Sequence, residues 1–200
     1  MTSPQPTGTK LPPPSQQARR ERILDAAVEL AAEGGYEAVQ MREVAERADV
    51  ALGTVYRYFP SKVHLLVTAM GRTFQTLQES ERVNAGGGDP EERVYRVVAA
   101  VTRFIARQRR LSGAMIRAMM SADADAGREV EAVGDLLVGF IARATHDPDS
   151  TPSERDTLVA HTIGKVWLID VVTMLSGRMT VSQVLEDLQA TINLVMADAG

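Results

Sequence analysis

Two hundred residues, 44% hydrophobic and 24% charged, can bury a sizeable core and describe a globular chain. The absence of cysteine excludes disulfides, thiolate metal sites and cysteine nucleophiles, and fits a reducing compartment. A net charge of −4 excludes a protein that holds nucleic acid by bulk charge alone.

Residues 1–17 hold five of the nine prolines, mixed with Ser, Thr and Gln and without periodicity. They read as a disordered arm in which Lys10 is a solvated group. The arm lacks the apolar stretch of a secretory signal. A first helix is expected over residues 18–33, with Ile23, Ala27, Leu30 and Ala31 as its buried stripe and Gly34-Gly35 as its end. Its start carries Arg19 and Arg20, aimed at phosphate.

Residues 40–62 carry the most specific pattern. Met41, Val44, Ala45 and Ala48 recur at i, i+3, i+4 and i+7 and mark a short helix. Asp49 and Val50 break that pattern. A second short helix is expected over residues 51–59, stopped by Pro60. Two helices joined by a tight turn make a helix-turn-helix, whose second helix lies in the DNA major groove. Small Ala45 permits a close crossing, Val50 anchors the turn and Val55 packs underneath. Asp49 stands where such turns commonly place glycine, and aspartate tolerates the left-handed conformation. The outward residues of the second helix are Leu52, Gly53, Thr54, Tyr56, Arg57 and Tyr58, a face without an acid. Gly53 costs helix stability and lets backbone approach a base or sugar. Lys62 opens the next helix, where an ammonium and free N–H groups can hold a phosphate.

The stretch is not basic overall. Arg19, Arg20, Arg22, Arg42, Arg47, Arg57 and Lys62 are matched by Glu21, Asp25, Glu29, Glu33, Glu37, Glu43, Glu46 and Asp49. DNA binding would have to come from a few positioned cations.

Downstream, Ser61 caps a long helix expected to reach residue 83, and residues 84–88 form a loop. Asp89-Pro90-Glu91-Glu92 is a helix start signal. The helix it opens carries Val94, Val97, Val98, Val101, Phe104 and Ile105. Near its end stand Arg103, Arg107, Arg109 and Arg110, read either as an anion site or as ordinary cations at a helix C-terminus. Residues 112–121 form a short helix with Met115 and Met119, which suit an adaptable binding surface or plain core. A helix with Val130, Val133, Leu136, Leu137, Phe140 and Ile141 follows. A second loop is expected over residues 145–153.

Two helices close the chain. The first, over residues 153–176, is apolar on more than one face. Its most apolar run, residues 158–175, is interrupted by His161, Lys165 and Asp170 and makes a poor membrane span. The second starts at a capping box, Thr180 to Gln183. A second copy of the chain is the natural cover for these stripes. The dimer interface is therefore expected at Trp167, Val171, Val181, Val184, Leu185, Leu188, Ile192 and Val195.

The stretch Gly53-Thr54-Val55-Tyr56-Arg57-Tyr58-Phe59-Pro60-Ser61-Lys62, with Met41 to Ala45, Arg22 to Ala27 and Gly34-Gly35-Tyr36, resembles the TetR family of bacterial transcriptional repressors. The resemblance covers about residues 19–66. More narrowly, residues 35–41 and 58–66 resemble the actinobacterial regulators of sterol catabolism. It implies an all-α, cytoplasmic homodimer in three parts: an arm (1–17), a three-helix helix-turn-helix DNA-binding domain (18–64) and a larger helical ligand-binding and dimerisation domain (65–200). It implies a palindromic operator of double-stranded DNA, with Arg19, Arg20, Gln40, Arg42, Leu52, Gly53, Thr54, Tyr56, Arg57, Tyr58 and Lys62 as contacts. A four-helix interface built by the last two helices of each copy is also implied. It further points to a hydrophobic effector, a sterol-derived acyl-CoA. The body of that effector would lie among Val101, Phe104, Met115, Met119, Phe140 and Trp167, and its anionic end at the arginines.

An enzyme is the competing class. His64 adjoins the hairpin, His146 lies in a loop, and His161 sits on an apolar helix near Lys165. No nucleophile elbow, metal-ligand spacing or glycine-rich phosphate loop stands out, so no catalytic site, metal or cofactor is expected. A third class is a helical interaction module without DNA, or a repressor answering to an unrelated apolar molecule.

Overall fold

The computed structural model describes residues 15–79, 87–145 and 151–197. Lys10, His146, and parts of the expected arm and of both expected loops lie outside them, as does the end of the long helix beyond residue 79. Among the described residues the chain forms nine α-helices and one 3-10 turn.

The first helix, α1 (Gln16–Ala38), is capped by Ser15, whose hydroxyl accepts from the Ala18 N–H at 3.1 Å. Gly35 breaks it with φ +71°, as the glycine pair implies, and a further turn follows. The hairpin is α2 (Met41–Arg47) and α3 (Leu52–Tyr58). Asp49 turns between them at φ 51°, the only non-glycine residue with positive φ among those described. Ala45 and Val55 are buried and the Val50 N–H donates to the Ala45 carbonyl at 3.0 Å, so the turn closes as the spacing requires.

α4 (Lys62–Glu79) follows, and the expected domain boundary at residues 64/65 falls within its first turn. Four acids of α1 brace neighbouring helices. Arg72 of α4 reaches Asp25 at 2.7 Å and Glu21 at 3.0 Å, and Arg47 of α2 reaches Glu33 at 2.6 Å and Glu29 at 3.8 Å. Such exposed pairs add little stability each. They do account for the acidic balance of this region: much of the negative charge is spent inside it.

The remaining helices are α5 (Pro90–Arg107), α6 (Arg109–Met120), the 3-10 turn Ala124–Ala126, α7 (Gly127–Thr145), α8 (Glu154–Leu175) and α9 (Val181–Met196). Asp89 caps α5, accepting from the Glu92 N–H at 2.8 Å, and Thr180 and Gln183 form the expected capping box on α9. α6 starts at Arg109, earlier than expected, because the chain breaks only at Gln108. α6 lies against α1 and α4; α7 lies against α4, α5 and α8; α9 lies against α5 and α8. One continuous core joins them.

This packing corrects the expected dimer face. Val171, Val184, Leu188 and Ile192 are buried within a single chain, and Val181, Leu185 and Val195 are half-buried against the same core. Trp167 is 3% exposed, its indole N–H donating to the Thr102 hydroxyl at 2.8 Å. The α9 stripe covers the inner face of α8 and the side of α5. By length and composition α8 could cross a membrane, but its inner stripe of Val159, Ile163, Trp167 and Val171 is core. The apolar surface left outward is a different set: Leu158 at 67% exposed, Ile169 at 63%, Leu194 at 81%, and Val166.

Candidate nucleic-acid interface and effector cleft

The outward face of α3 is built by its short length and its three-point anchorage. Val55 and Phe59 are buried, the Tyr58 hydroxyl donates to the Gln16 carbonyl at 3.3 Å, and the rest faces out. Leu52 and Tyr56 are large apolar groups left exposed. Arg57 makes no ion pair among the described residues; its guanidinium lies 5.6 Å from the Tyr58 ring centroid. Thr54 is half-buried at the helix start. A Cβ at Gly53 would meet no atom within 4 Å. No described neighbour therefore requires a glycine there. Gly53→Ala is accordingly expected to leave the melting temperature unchanged or higher, by up to about 1 kcal/mol of helix propensity, while weakening binding to operator DNA. Thermal melts beside anisotropy titrations check the opposed signs.

The flanking candidates divide. Gln40 precedes α2 without using its amide as a cap and is exposed. Arg42 is exposed, 3.6 Å from Glu46. Arg20 lies 5.5 Å from the Phe59 ring and 3.7 Å from Glu21, and Arg19 is half-buried one residue before it. Both stand at the end of α1 that the Tyr58 hydroxyl ties to α3. Tyr58 is thus a tie within the head as well as a candidate contact.

Lys62 is not a free cation at a helix start. Its ammonium lies 3.9 Å from the Tyr36 ring centroid, and the Arg117 guanidinium of α6 lies 4.4 Å from the same ring. Arg117 is held by Glu37 at 2.8 Å. Burial lowers the Lys62 pKa, Glu37 opposes this, and Arg117 adds to it. Two residues on, the His64 ring sits between two oxygens: Nδ1 is 2.9 Å from the Ser61 hydroxyl and Nε2 is 3.1 Å from the Asp125 carbonyl. A carbonyl only accepts, so Nε2 carries the proton in this arrangement. The segment from Arg117 to Asp125 therefore meets the first turn of α4 directly at His64, and through the Tyr36 ring at Lys62. His64 is a strut of this junction. His161 is exposed on the outer side of α8.

The expected pocket is only partly assembled. An apolar cleft lies between α4, α5 and α7, lined by Phe74, Leu77, Gln78, Val101, Leu136, Leu137 and Phe140. Its free volume is about 10 Å³, room for one water at most. At Gln78 and Leu136 it meets an open polar groove of about 450 Å³ that also takes in Gln75, Asp135 and Arg143. The Gln78 amide oxygen, turned to satisfy both groups, accepts from the Arg143 guanidinium. Of the six expected lining residues, Val101 and Phe140 are in the cleft. Phe104 is half-buried on α5, Met115 and Met119 belong to α6 beside α1 and α4, and Trp167 is bonded to Thr102 in the core. Phe74 and Leu77 were not anticipated; their i, i+3 spacing on one side of α4 is the sequence signal for them.

The four arginines do not form one anion site. Arg109 donates to the carbonyls of Met174 and Leu175 at 3.2 and 3.3 Å, closing the end of α8. Arg110 donates to the Glu33 carbonyl at 3.0 Å, at the end of the regular part of α1. Arg103 lies in a groove with Asp89, Glu91, Glu92, Tyr95, Arg96 and Gln189, and Arg107 is exposed in the last turn of α5. Two of the four therefore cap other helices, where the macrodipole favours a cation.

Comparison with known proteins agrees with this architecture. A family model described as bacterial regulatory proteins, tetR family, matches residues 23–69, and one described as tetracyclin repressor-like, C-terminal domain, matches residues 87–195. The HTH-type transcriptional repressor KstR of Rhodococcus jostii (strain RHA1) is 48% identical over 184 residues, 92% of this chain and 85% of that one. The crystal structure of a TetR transcriptional regulator from Rhodococcus sp. RHA1 superposes with a TM-score of 0.83 at 31% identity, covering 92% of this chain and 99% of that one. The fold is also that of Thermus thermophilus FadR, solved in complex with lauroyl-CoA, with a TM-score of 0.68 at 22% identity over 90% of this chain and 95% of that one. These relatives are regulators and not enzymes. With a helix-turn-helix head, a helical second domain and matches across nearly its whole length, the chain belongs to the TetR family of bacterial transcriptional regulators.

Proposed function

We propose that the chain is a cytoplasmic, homodimeric repressor that binds a palindromic operator and is released by a sterol-derived acyl-CoA, so that it controls genes of sterol or lipid catabolism. The observation that carries the DNA reading is the exposed face of α3, where Leu52, Gly53, Tyr56 and Arg57 present outward surface that no described residue outside the helix covers. Two such faces related by a two-fold axis suit half-sites in successive major grooves.

The cleft between α4, α5 and α7 supports the effector reading. Its apolar slot suits a hydrocarbon body, and the groove at its mouth, with Gln75, Gln78 and Arg143, suits a polar, anionic end. Arg143 takes the role first expected of the arginines near the end of α5. The relatives named KstR, and the acyl-CoA bound by the FadR of like fold, favour this ligand class. The slot is closed as it stands, so a ligand has to part α7 from α4. A ligand that binds the opened form more tightly shifts the equilibrium towards it; equal affinity shifts nothing. α4 carries any such movement to the head, because its first turn is gripped at Lys62 and His64.

A gel shift with the DNA upstream of the chain's own gene tests the first half. Specific retention is expected, and its absence would leave a helical interaction module. Titrating a sterol-derived acyl-CoA into the protein–DNA complex tests the second. Release by the thioester and not by free coenzyme A is expected. Release by unrelated apolar molecules instead would keep the repressor and replace the ligand class, and equal release by the free acid would remove the role of Arg143.

A further inference from the structure

Arg117 stands at the seam between the head and the second domain, and it is used differently from the other arginines of α6. Arg109 and Arg110 donate to backbone carbonyls of α8 and α1. The Arg117 guanidinium donates to no carbonyl among the described residues. It lies 4.4 Å from the centre of the Tyr36 ring and 2.8 Å from the Glu37 carboxylate, and both charged side chains are exposed. The Lys62 ammonium lies 3.9 Å from the same ring centre. Two cations therefore share one aromatic ring. α6 contains no acid, so Glu37 is left to balance both. Burial depresses the Lys62 pKa, and Arg117 depresses it further against the pull of Glu37. The Tyr36 carbonyl accepts from the Val39 N–H at 3.3 Å, so the ring is carried on the turn that leads into Gln40 and Arg42. Lys62 and Arg117 thus meet beside the residues at the start of α2 that are candidate backbone contacts.

We propose that Arg117 is a phosphate contact supplied by the second domain: beside Lys62 on the Tyr36 ring it takes the backbone of the operator, and a phosphate displaces Glu37. The inference rests on the DNA-binding reading and adds a contact outside the helix-turn-helix domain. A guanidinium is a planar fork of donors that fits a phosphate as it fits a carboxylate, so one anion replaces another of similar geometry. An exposed pair such as Arg117–Glu37 contributes little, and giving it up costs little. The phosphate brings the negative charge that the cluster lacks. Stacking on Tyr36 holds both long side chains in place beforehand, so less freedom is lost when they meet the DNA. Because Arg117 belongs to α6, the contact also makes operator binding depend on how the second domain is seated on the head.

Salt titrations with the full-length chain test this, on the DNA upstream of its own gene and on scrambled DNA. The variants are Arg117→Lys, Glu37→Gln, and Glu37→Gln combined with Arg117→Ala; circular dichroism is expected to show unchanged helicity in each. Glu37→Gln alone is expected to strengthen binding to both DNAs, since the competing carboxylate is gone. Adding Arg117→Ala to it is expected to weaken both by the same factor and to shallow the salt dependence by about one unit of slope per half-site. Arg117→Lys is expected to keep most of the wild-type slope. The Glu37→Gln background separates the contact from its rival. If Arg117 only neutralises Glu37, the double variant binds as Glu37→Gln does, with the same slope, and the proposal is overturned. Weaker binding by Glu37→Gln alone would overturn the displacement, and a loss confined to the upstream DNA would overturn the phosphate assignment, because phosphate contacts carry no sequence information. A wild-type chain that retains neither DNA would overturn the DNA-binding reading itself, which is a different failure from an unchanged slope in a chain that binds.

Discussion

Leu188→Glu unfolds the chain and does not release folded monomers. Leu188 is 1% exposed, in the stripe of Val184, Leu188 and Ile192 that α9 packs onto α5 and α8. Removing a buried leucine costs about 2–5 kcal/mol. A carboxylate left there without a partner costs several kcal/mol more, or takes up a proton. The sum is comparable with the whole stability of a typical domain, about 5–15 kcal/mol. The expected result is loss of the helical signal, or a melting temperature lowered by roughly 10 °C or more. Ile169→Glu is the contrast. Ile169 is 63% exposed in the single chain, so the same charge leaves the fold intact and acts only on association. Circular dichroism and sedimentation of both variants decide the matter. A folded, monomeric Leu188→Glu beside a dimeric Ile169→Glu would reverse the inside and outside of these two helices.

That reversal is where the sequence ran out. The period of the α9 stripe was readable, but a period names a face and not what covers it. α8 is apolar on two faces, and which one meets α9 depends on Thr102 waiting for the Trp167 indole, 65 residues away in the chain. Local signals fared better because their causes are local. Asp89 before Pro90, the Thr180–Gln183 box, the break at Gly35 and the left-handed Asp49 each depend on a few consecutive residues.

The placement of the candidate site residues divides in the same way. The head was legible because the hairpin fits within about twenty residues, so spacing alone separates its inner from its outer face. The arginines were misleading because Arg107, Arg109 and Arg110 are neighbours only in sequence. The break at Gln108 leaves Arg107 at the end of α5, while Arg109 goes to the end of α8 and Arg110 to Glu33. Expecting cations at helix C-termini was sound physics applied to the wrong helix ends. The cleft needed α4 to face α7, and no short-range pattern contains that.

Arg57→Ala and Lys62→Ala should both weaken operator binding, in ways that differ in kind. Arg57 is exposed and among the described residues meets the Tyr58 ring, so its loss costs little stability. If it forks onto a guanine, the loss is about 1–3 kcal/mol of discrimination per half-site, roughly tenfold to a hundredfold, felt twice in a dimer. Binding to unrelated DNA falls much less, because that binding comes from phosphate contacts. If Lys62 holds a phosphate, its removal should weaken all sequences about equally and shallow the salt dependence by about one unit of slope per half-site. Lys62 also lies against the Tyr36 ring that Arg117 of α6 approaches. Lys62→Arg is therefore the informative companion, since it keeps a cation that can stack on the ring and reach a phosphate. It should recover most of the salt slope that Lys62→Ala loses. Anisotropy titrations of operator and scrambled DNA across a salt series separate the two effects. A change of sequence preference in Lys62→Ala, or a uniform loss in Arg57→Ala, would show that the reading and the anchoring of DNA are divided between these side chains differently.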